Sequence, residues 1–217
     1  MSSARRSVEA IALSGMLFAS ACTSGESPPA TSAPHAPAQA PPASPAPSPP
    51  TDADSLALEH AREAASTLGR TLKTRLLAAM AESGPLGALE VCSTEAQVRT
   101  REVGEGTRAR VGRSSLRLRN EANTGPDWVR DALSRLGERP AAGVQPIRVV
   151  VEADGRRVAR FAAPIAVEGP CLTCHGPRDS LAPDLREALG RRYPNDRAIG
   201  YAVGDLRGLV WAEVDVR

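Results

Sequence analysis

The chain is poor in aromatic residues: two Trp, two Tyr and two Phe among 217 residues. One of the two Phe, Phe18, lies in the N-terminal segment. A core with so few rings has to be filled by Ala, Leu and Val, or to take flat apolar surface from a bound group. Histidine and methionine are scarce, three of each, so few side chains could ligate a metal. Charge of either sign hardly dominates. The formal net charge is +2, and nothing in it points to nucleic acid. The apolar run at the N-terminus, Ala10 to Phe18, falls short of the roughly 20 residues a membrane-spanning helix needs. Cysteine is rare enough, at four residues, for each one to be weighed.

What is present at the N-terminus reads as an export signal. Arg5 and Arg6 supply positive charge, the apolar run follows, and Ala19-Ser20-Ala21 are small residues before Cys22. This resembles a lipobox over residues 1–21, with Cys22 lipidated as the first residue of the mature chain; the alternative is an ordinary cleavage site that happens to precede a cysteine. Residues 22–50 are a linker composed almost wholly of Pro, Ala and Ser. Such a composition cannot bury enough apolar surface to offset chain entropy, so a disordered, extended tether is expected, at roughly 3 Å per residue. His35 lies within it and is a poor candidate for any site. Residues 51–217 are then one globular domain by length.

The most specific motif stands near the other end: Cys171-Leu172-Thr173-Cys174-His175. C-x-x-C-H is the attachment signal for c-type haem. The two thiols add across the haem vinyl groups, and the adjacent histidine is the proximal ligand of the iron. Cys22 being assigned to lipid and Cys171 and Cys174 to haem, Cys92 is left over. In an oxidising compartment it is a buried inert thiol, a link to another chain, or a ligand. A sixth iron position has as candidates His60, Met80 and Cys92, besides His35 in the linker. A Cys₃His zinc site from Cys92, Cys171, Cys174 and His175 is the rival chemistry, though the adjacent Cys174 and His175 suit one tetrahedral ion poorly.

Periodicity predicts a helix from about Ser55 to Glu82, capped by Asp52 or Asp54. Its apolar stripe is Ala61, Ala65, Leu68, Leu72, Leu76 and Met80. Met80 is thereby a packing residue, and His60 lies off the stripe in solvent. A break at Ser83-Gly84-Pro85 precedes a second helix, about Leu86 to Val103, with Cys92 on the inward face beside Leu89 and Ala96. A short helix begins at Pro126-Asp127 and runs to about Leu136. Ile147 to Glu152 and Val158 to Ile165 form a hairpin across Asp154-Gly155. Ala198 to Val203 and Leu209 to Val216 are expected to form another, and the alternation in Ser115 to Arg119 suggests a further strand.

Several segments in order are similar to the Tll-type haem c domain family: Leu89-Glu90-Val91-Cys92, Arg113 through Asn120, Pro126-Asp127-Trp128, Phe161 through Ile165, Cys171 through Gly176, Tyr193-Pro194-Asn195-Asp196, and Ile199 through Gly208. The resemblance covers nearly the whole domain. It implies a PAS-like α+β fold, with N-terminal helices and an antiparallel sheet, carrying one covalent haem c. It also implies an unusual axial pair, which falls here on His175 and Cys92, and it makes the arginine-rich stretch haem-proximal. Arg113, Arg117 and Arg119 are the candidates for propionate contacts, since a guanidinium fork matches a carboxylate. The expectation is a lipid-anchored cytochrome on the periplasmic side of a bacterial membrane, serving as a haem-based redox or gas sensor with an unidentified redox or signalling partner. A low-potential electron carrier is the alternative, and no catalytic role is expected.

Overall fold

The first helix starts on Thr51. Its side chain accepts from the backbone N–H of Asp54 at 3.2 Å, and the Asp54 carboxylate accepts from the Thr51 N–H at 2.8 Å. This reciprocal capping box makes Thr51 the cap in place of the expected Asp52 or Asp54. Asp54 is buried and paired with Arg157 at 2.6 Å, which ties the helix start to the sheet. In the computed structural model the described residues are 51–217, within one compact unit, Pro47–Arg217. The expected signal segment, Cys22 and the linker lie outside them. Among the described residues no helix is long and apolar enough to cross a membrane.

Helix α1 spans Asp52–Thr94 and bends at Gly84, whose φ of 65° and ψ of −165° are not helical, just before Pro85. The break expected there is thus a kink inside one long element. The second expected helix is divided differently: its first part is the end of α1, and α2 is Ala96–Thr107. Met80 packs with Leu76 on Ala79, Ala88 and Val91 across the kink, the packing role expected for it. His60 is exposed, and its Nε2 makes a 2.6 Å hydrogen bond with the carbonyl of Thr107, joining α1 to the end of α2.

Four strands follow: β1 (Arg110–Ser114), β2 (Ile147–Ala153), β3 (Arg156–Ala166) and β4 (Leu206–Asp215), all antiparallel in the order β1-β4-β3-β2. The Asp154-Gly155 turn is present, with positive φ at both residues (51° and 70°), as a type I′ hairpin requires. Alternation along the strands builds two cores. Ala159, Phe161, Ala212 and Val214 face the small residues Ala57, Ala61, Ala64 and Ala65 of α1. Ala162, Leu209 and Trp211 face Val129, Ala132 and Leu133 of α3 (Asp127–Leu136). Helices on a four-stranded antiparallel sheet give the expected α+β class. Two short helices lie between β3 and β4, α4 (Leu172–His175) and α5 (Pro183–Arg192).

Two expected strands do not form. Ala198 to Val203 is a loop, because its backbone groups are taken elsewhere: the Ala198 N–H by Asp196 Oδ1 at 2.8 Å, the Gly200 N–H by the Gly176 carbonyl at 2.8 Å, and the Tyr201 N–H by the His175 carbonyl at 2.9 Å. β1 fills the place beside β4. Ser115 to Arg119 also leaves the sheet. The Ser115 hydroxyl accepts from the Arg117 N–H at 3.1 Å and turns the chain.

Candidate functional site

The C-x-x-C-H motif is held by a turn. Gly169–Cys171 is a 3-10 turn carrying Pro170, and α4 continues it for one helical turn. Cys171 and Cys174, three residues apart, therefore share one side of that turn. Both are partly buried free thiols. The Glu168 N–H donates to Cys171 Sγ at 3.3 Å. Burial pushes the Cys174 thiol up, against the opposing pull of Arg119.

His175 closes the motif. Its Nδ1 lies 2.6 Å from the carbonyl oxygen of Ala198. A carbonyl can only accept, so Nδ1 carries the proton and Nε2 keeps its lone pair, as in a metal-ligating imidazole. Burial, aided by the positive charge of Arg119, Arg207 and Arg113, holds the ring well below the usual histidine range, in its neutral form. Tyr201 meets His175 edge-on, with ring centroids 6.3 Å apart and planes at 87°.

Arg119 ties these pieces together. Its Nη2 donates to the Cys174 carbonyl at 2.6 Å and to the Ala198 carbonyl at 3.3 Å, and its Nε pairs with Asp196 Oδ2 at 3.0 Å. Asp196 in turn caps the Ala198 N–H. One ion pair thus braces both the last cysteine and the carbonyl that orients the histidine. Arg117 lies over the Tyr201 ring at 4.1 Å and donates to the Arg197 carbonyl at 3.2 Å. Arg207 lies over the same ring at 5.3 Å.

Cys92 is a half-buried free thiol on the segment of α1 beyond the kink. One turn before it, Leu89 joins a cluster with Leu181, Leu185 and Leu189, on which Cys174 and Tyr193 also pack. The motif and the Cys92 segment therefore share one apolar cluster. Burial pushes the Tyr193 phenol up, with the charges of Arg119, Arg113 and Arg192 opposing it. Among the described residues no three His, Cys, Asp or Glu side chains converge as metal ligands.

Tyr201, Asp196 and Arg207 were not singled out by the sequence. Each lies in a stretch similar to the Tll-type family, Tyr193 to Asp196 or Ile199 to Gly208, and that run was the available signal. A family model described as Tll0287-like matches residues 47–214. The chain belongs to the Tll0287-like family. A solved structure, the crystal structure of the cyanobacterial heme-protein Tll0287, has the same fold: TM-score 0.52 at 19% identity, over 69% of this chain and 91% of that one. No curated protein matches the chain.

Proposed function

We propose that this Tll0287-like chain binds one covalent haem c, is exported and lipid-anchored through Cys22 on the periplasmic side of a bacterial membrane, and works as a haem-based redox or gas sensor rather than an enzyme. The observation that carries the haem reading is the single turn presenting two free thiols and a histidine whose Nδ1–H is already engaged. The related solved structure is that of a cyanobacterial heme-protein, which supports the same reading. The donor types fit: Cys171 and Cys174 would form the thioether bonds, and His175 Nε2 and Cys92 would be the donors to the iron. When bound, the haem would supply a one-electron iron couple, and a position for a diatomic ligand where the Cys92 donor leaves it. The chain orients His175 through the Ala198 carbonyl. Sensing is favoured over simple transfer because Cys92 stands beyond the Gly84–Pro85 joint. A change at its thiol then acts on a segment hinged to a long helix.

Acid–acetone extraction tests attachment: the colour is expected to stay with the protein, and free extraction would sink the c-type reading. Cys92→Ser is expected to convert a low-spin ferric EPR spectrum to high-spin and to raise the potential, since an anionic donor is lost. A spectrum unchanged by Cys92→Ser but abolished by Met80→Leu or His60→Ala would move the sixth ligand elsewhere. CO or NO binding to the reduced protein supports sensing; retention of both donors through the redox cycle makes it an electron carrier. Cys22→Ser is expected to release the protein from the membrane fraction.

A further inference from the structure

A second concave site adjoins the motif without containing its donors. It is a cavity of about 250 Å³, walled by the turn after β1, the end of α3 and the loop that follows, Tyr201, and the first residues of β4. None of Cys92, Cys171, Cys174 and His175 lines it. Backbone hydrogen bonds fix its frame. The Ala141 N–H donates to the Gly204 carbonyl at 2.8 Å and the Leu206 N–H to the Arg139 carbonyl at 2.9 Å, which ties the loop after α3 to the start of β4. The Tyr201 N–H donates to the His175 carbonyl at 2.9 Å, which ties another wall to the motif. The volume falls just below the roughly 300 Å³ at which drug-sized sites begin, so the cavity suits a small molecule.

Tyr201 is 5% exposed, and a tyrosine so buried normally finds a partner for its hydroxyl. This hydroxyl has none among the described residues, and it is not a fully enclosed atom either. Tyr201 lines the cavity, so the free hydroxyl opens onto that space. Arg117 and Arg207, which also line it, lie over the same ring at 4.1 and 5.3 Å from its centroid. A guanidinium held over a ring keeps its N–H edges for acceptors. Arg117 spends Nε on the Arg197 carbonyl, and Arg207 spends Nη1 on the Arg117 carbonyl, each at 3.2 Å. The Nη2 groups of both have no acceptor among the described residues, and neither is enclosed. Two carboxylates line the cavity too. Asp205 is occupied by the Ala202 N–H at 2.8 Å, and Glu138, 69% exposed, stands 3.7 Å from Arg117. Leu116, Leu133 and Leu206 complete the lining. The uncommitted groups are therefore donors, set beside apolar side chains.

We infer that this cavity binds a small carboxylic acid with an apolar body, in its ionised form. The carboxylate accepts from the Tyr201 hydroxyl and the free guanidinium edges, and the body packs on the three leucines. The site goes beyond the haem reading and does not depend on it.

The test uses the full-length protein with its haem attached and benzoate as the probe, in calorimetric titration. Saturable binding of one benzoate per chain is expected. Benzamide, of the same shape without the charge, should bind at least tenfold more weakly. Tyr201→Phe keeps the ring and removes only the hydroxyl. It should weaken benzoate roughly tenfold, the scale of a hydrogen bond to a charged group. Arg207→Gln should weaken it by as much or more, while Arg156→Gln, which removes an exposed hairpin charge, should leave it unchanged. Tyr201→Phe carries the test if Arg207→Gln fails to accumulate. A haem-bearing protein that does not bind benzoate, as when the haem itself fills the cavity, overturns the proposal and leaves the haem reading intact. Equal affinity for benzamide, or an affinity that Tyr201→Phe leaves unchanged, also overturns it. Inorganic phosphate competing as well as benzoate shows a general anion site and overturns it too. A purified chain without haem that binds benzoate with the same dependence on Tyr201 keeps the site and overturns the haem reading alone.

Discussion

Removing Arg119 tests whether the motif is held by a buried ion pair or only by its own turn. The side chains of Arg119 and Asp196 are 11% and 9% exposed, so the pair is shielded from water. Arg119→Met leaves Asp196 as a buried carboxylate without its partner and removes donors from the carbonyls of Cys174 and Ala198. Breaking a buried pair from one side costs about 3–5 kcal/mol, whereas an exposed pair is worth about 0–1 kcal/mol. The larger figure corresponds to a fall in Tm of roughly 6–20 °C for a domain of this size. Asp196→Asn keeps the oxygen that caps the Ala198 N–H while removing the charge, so Arg119→Met with Asp196→Asn closes a double-mutant cycle. Urea unfolding of the four proteins should give a coupling of about 1–3 kcal/mol. A loss under about 1 kcal/mol for Arg119→Met, or a coupling near zero, would refute the brace.

Glu95 joins Arg75 and Arg99 at 2.9 Å each, and those two hydrogen bonds hold its carboxyl down at about 2, from 4.5. A lowered folded-state pKa contributes stability that is complete above pH 4.5 and is lost as pH falls toward 2. The difference in urea midpoint between wild type and Glu95→Gln should shrink across that window; a difference that stays constant counts against the pair. Gly84→Ala meets no atom within 4 Å, yet Gly84 sits at φ 65° and ψ −165°, a region nearly confined to glycine. It should cost about 1–3 kcal/mol from backbone alone, and a urea midpoint equal to wild type would show that the kink relaxes freely. Gly112→Ala would drive its Cβ into the Trp211 ring. It should destabilise by about 1–3 kcal/mol, the usual range for overpacking, and alter the emission of a protein with two tryptophans.

Local signals in the sequence were reliable where a residue acts on its own neighbours. Asp154-Gly155 specified its turn, Pro126 and Asp127 specified the start of α3, and Ala61 and Ala65 of the predicted stripe specified the face that α1 lays on the sheet. The failures came where a backbone is claimed by something distant in sequence. Ala198 to Val203 has the β-branched and aromatic look of a strand, but its N–H groups and carbonyls are used by Gly176, His175, Asp196 and Arg119. The same diversion explains the uneven reading of the arginines. Arg113, Arg117 and Arg119 are indistinguishable by spacing. They differ only in which acceptors the fold brings to them: two carbonyls and a carboxylate for Arg119, an aromatic ring for Arg117, and no carboxylate among the described residues for Arg113. The C-x-x-C-H motif names the reactive atoms, but the loop after α5 decides how they are presented. Its Ala198 carbonyl holds the histidine proton, and its Tyr201 lies between His175 and Arg207. A strand there would have paired those groups with β4 and left Nδ1 of His175 without an acceptor. The loss of an expected strand is therefore the feature that orients the imidazole.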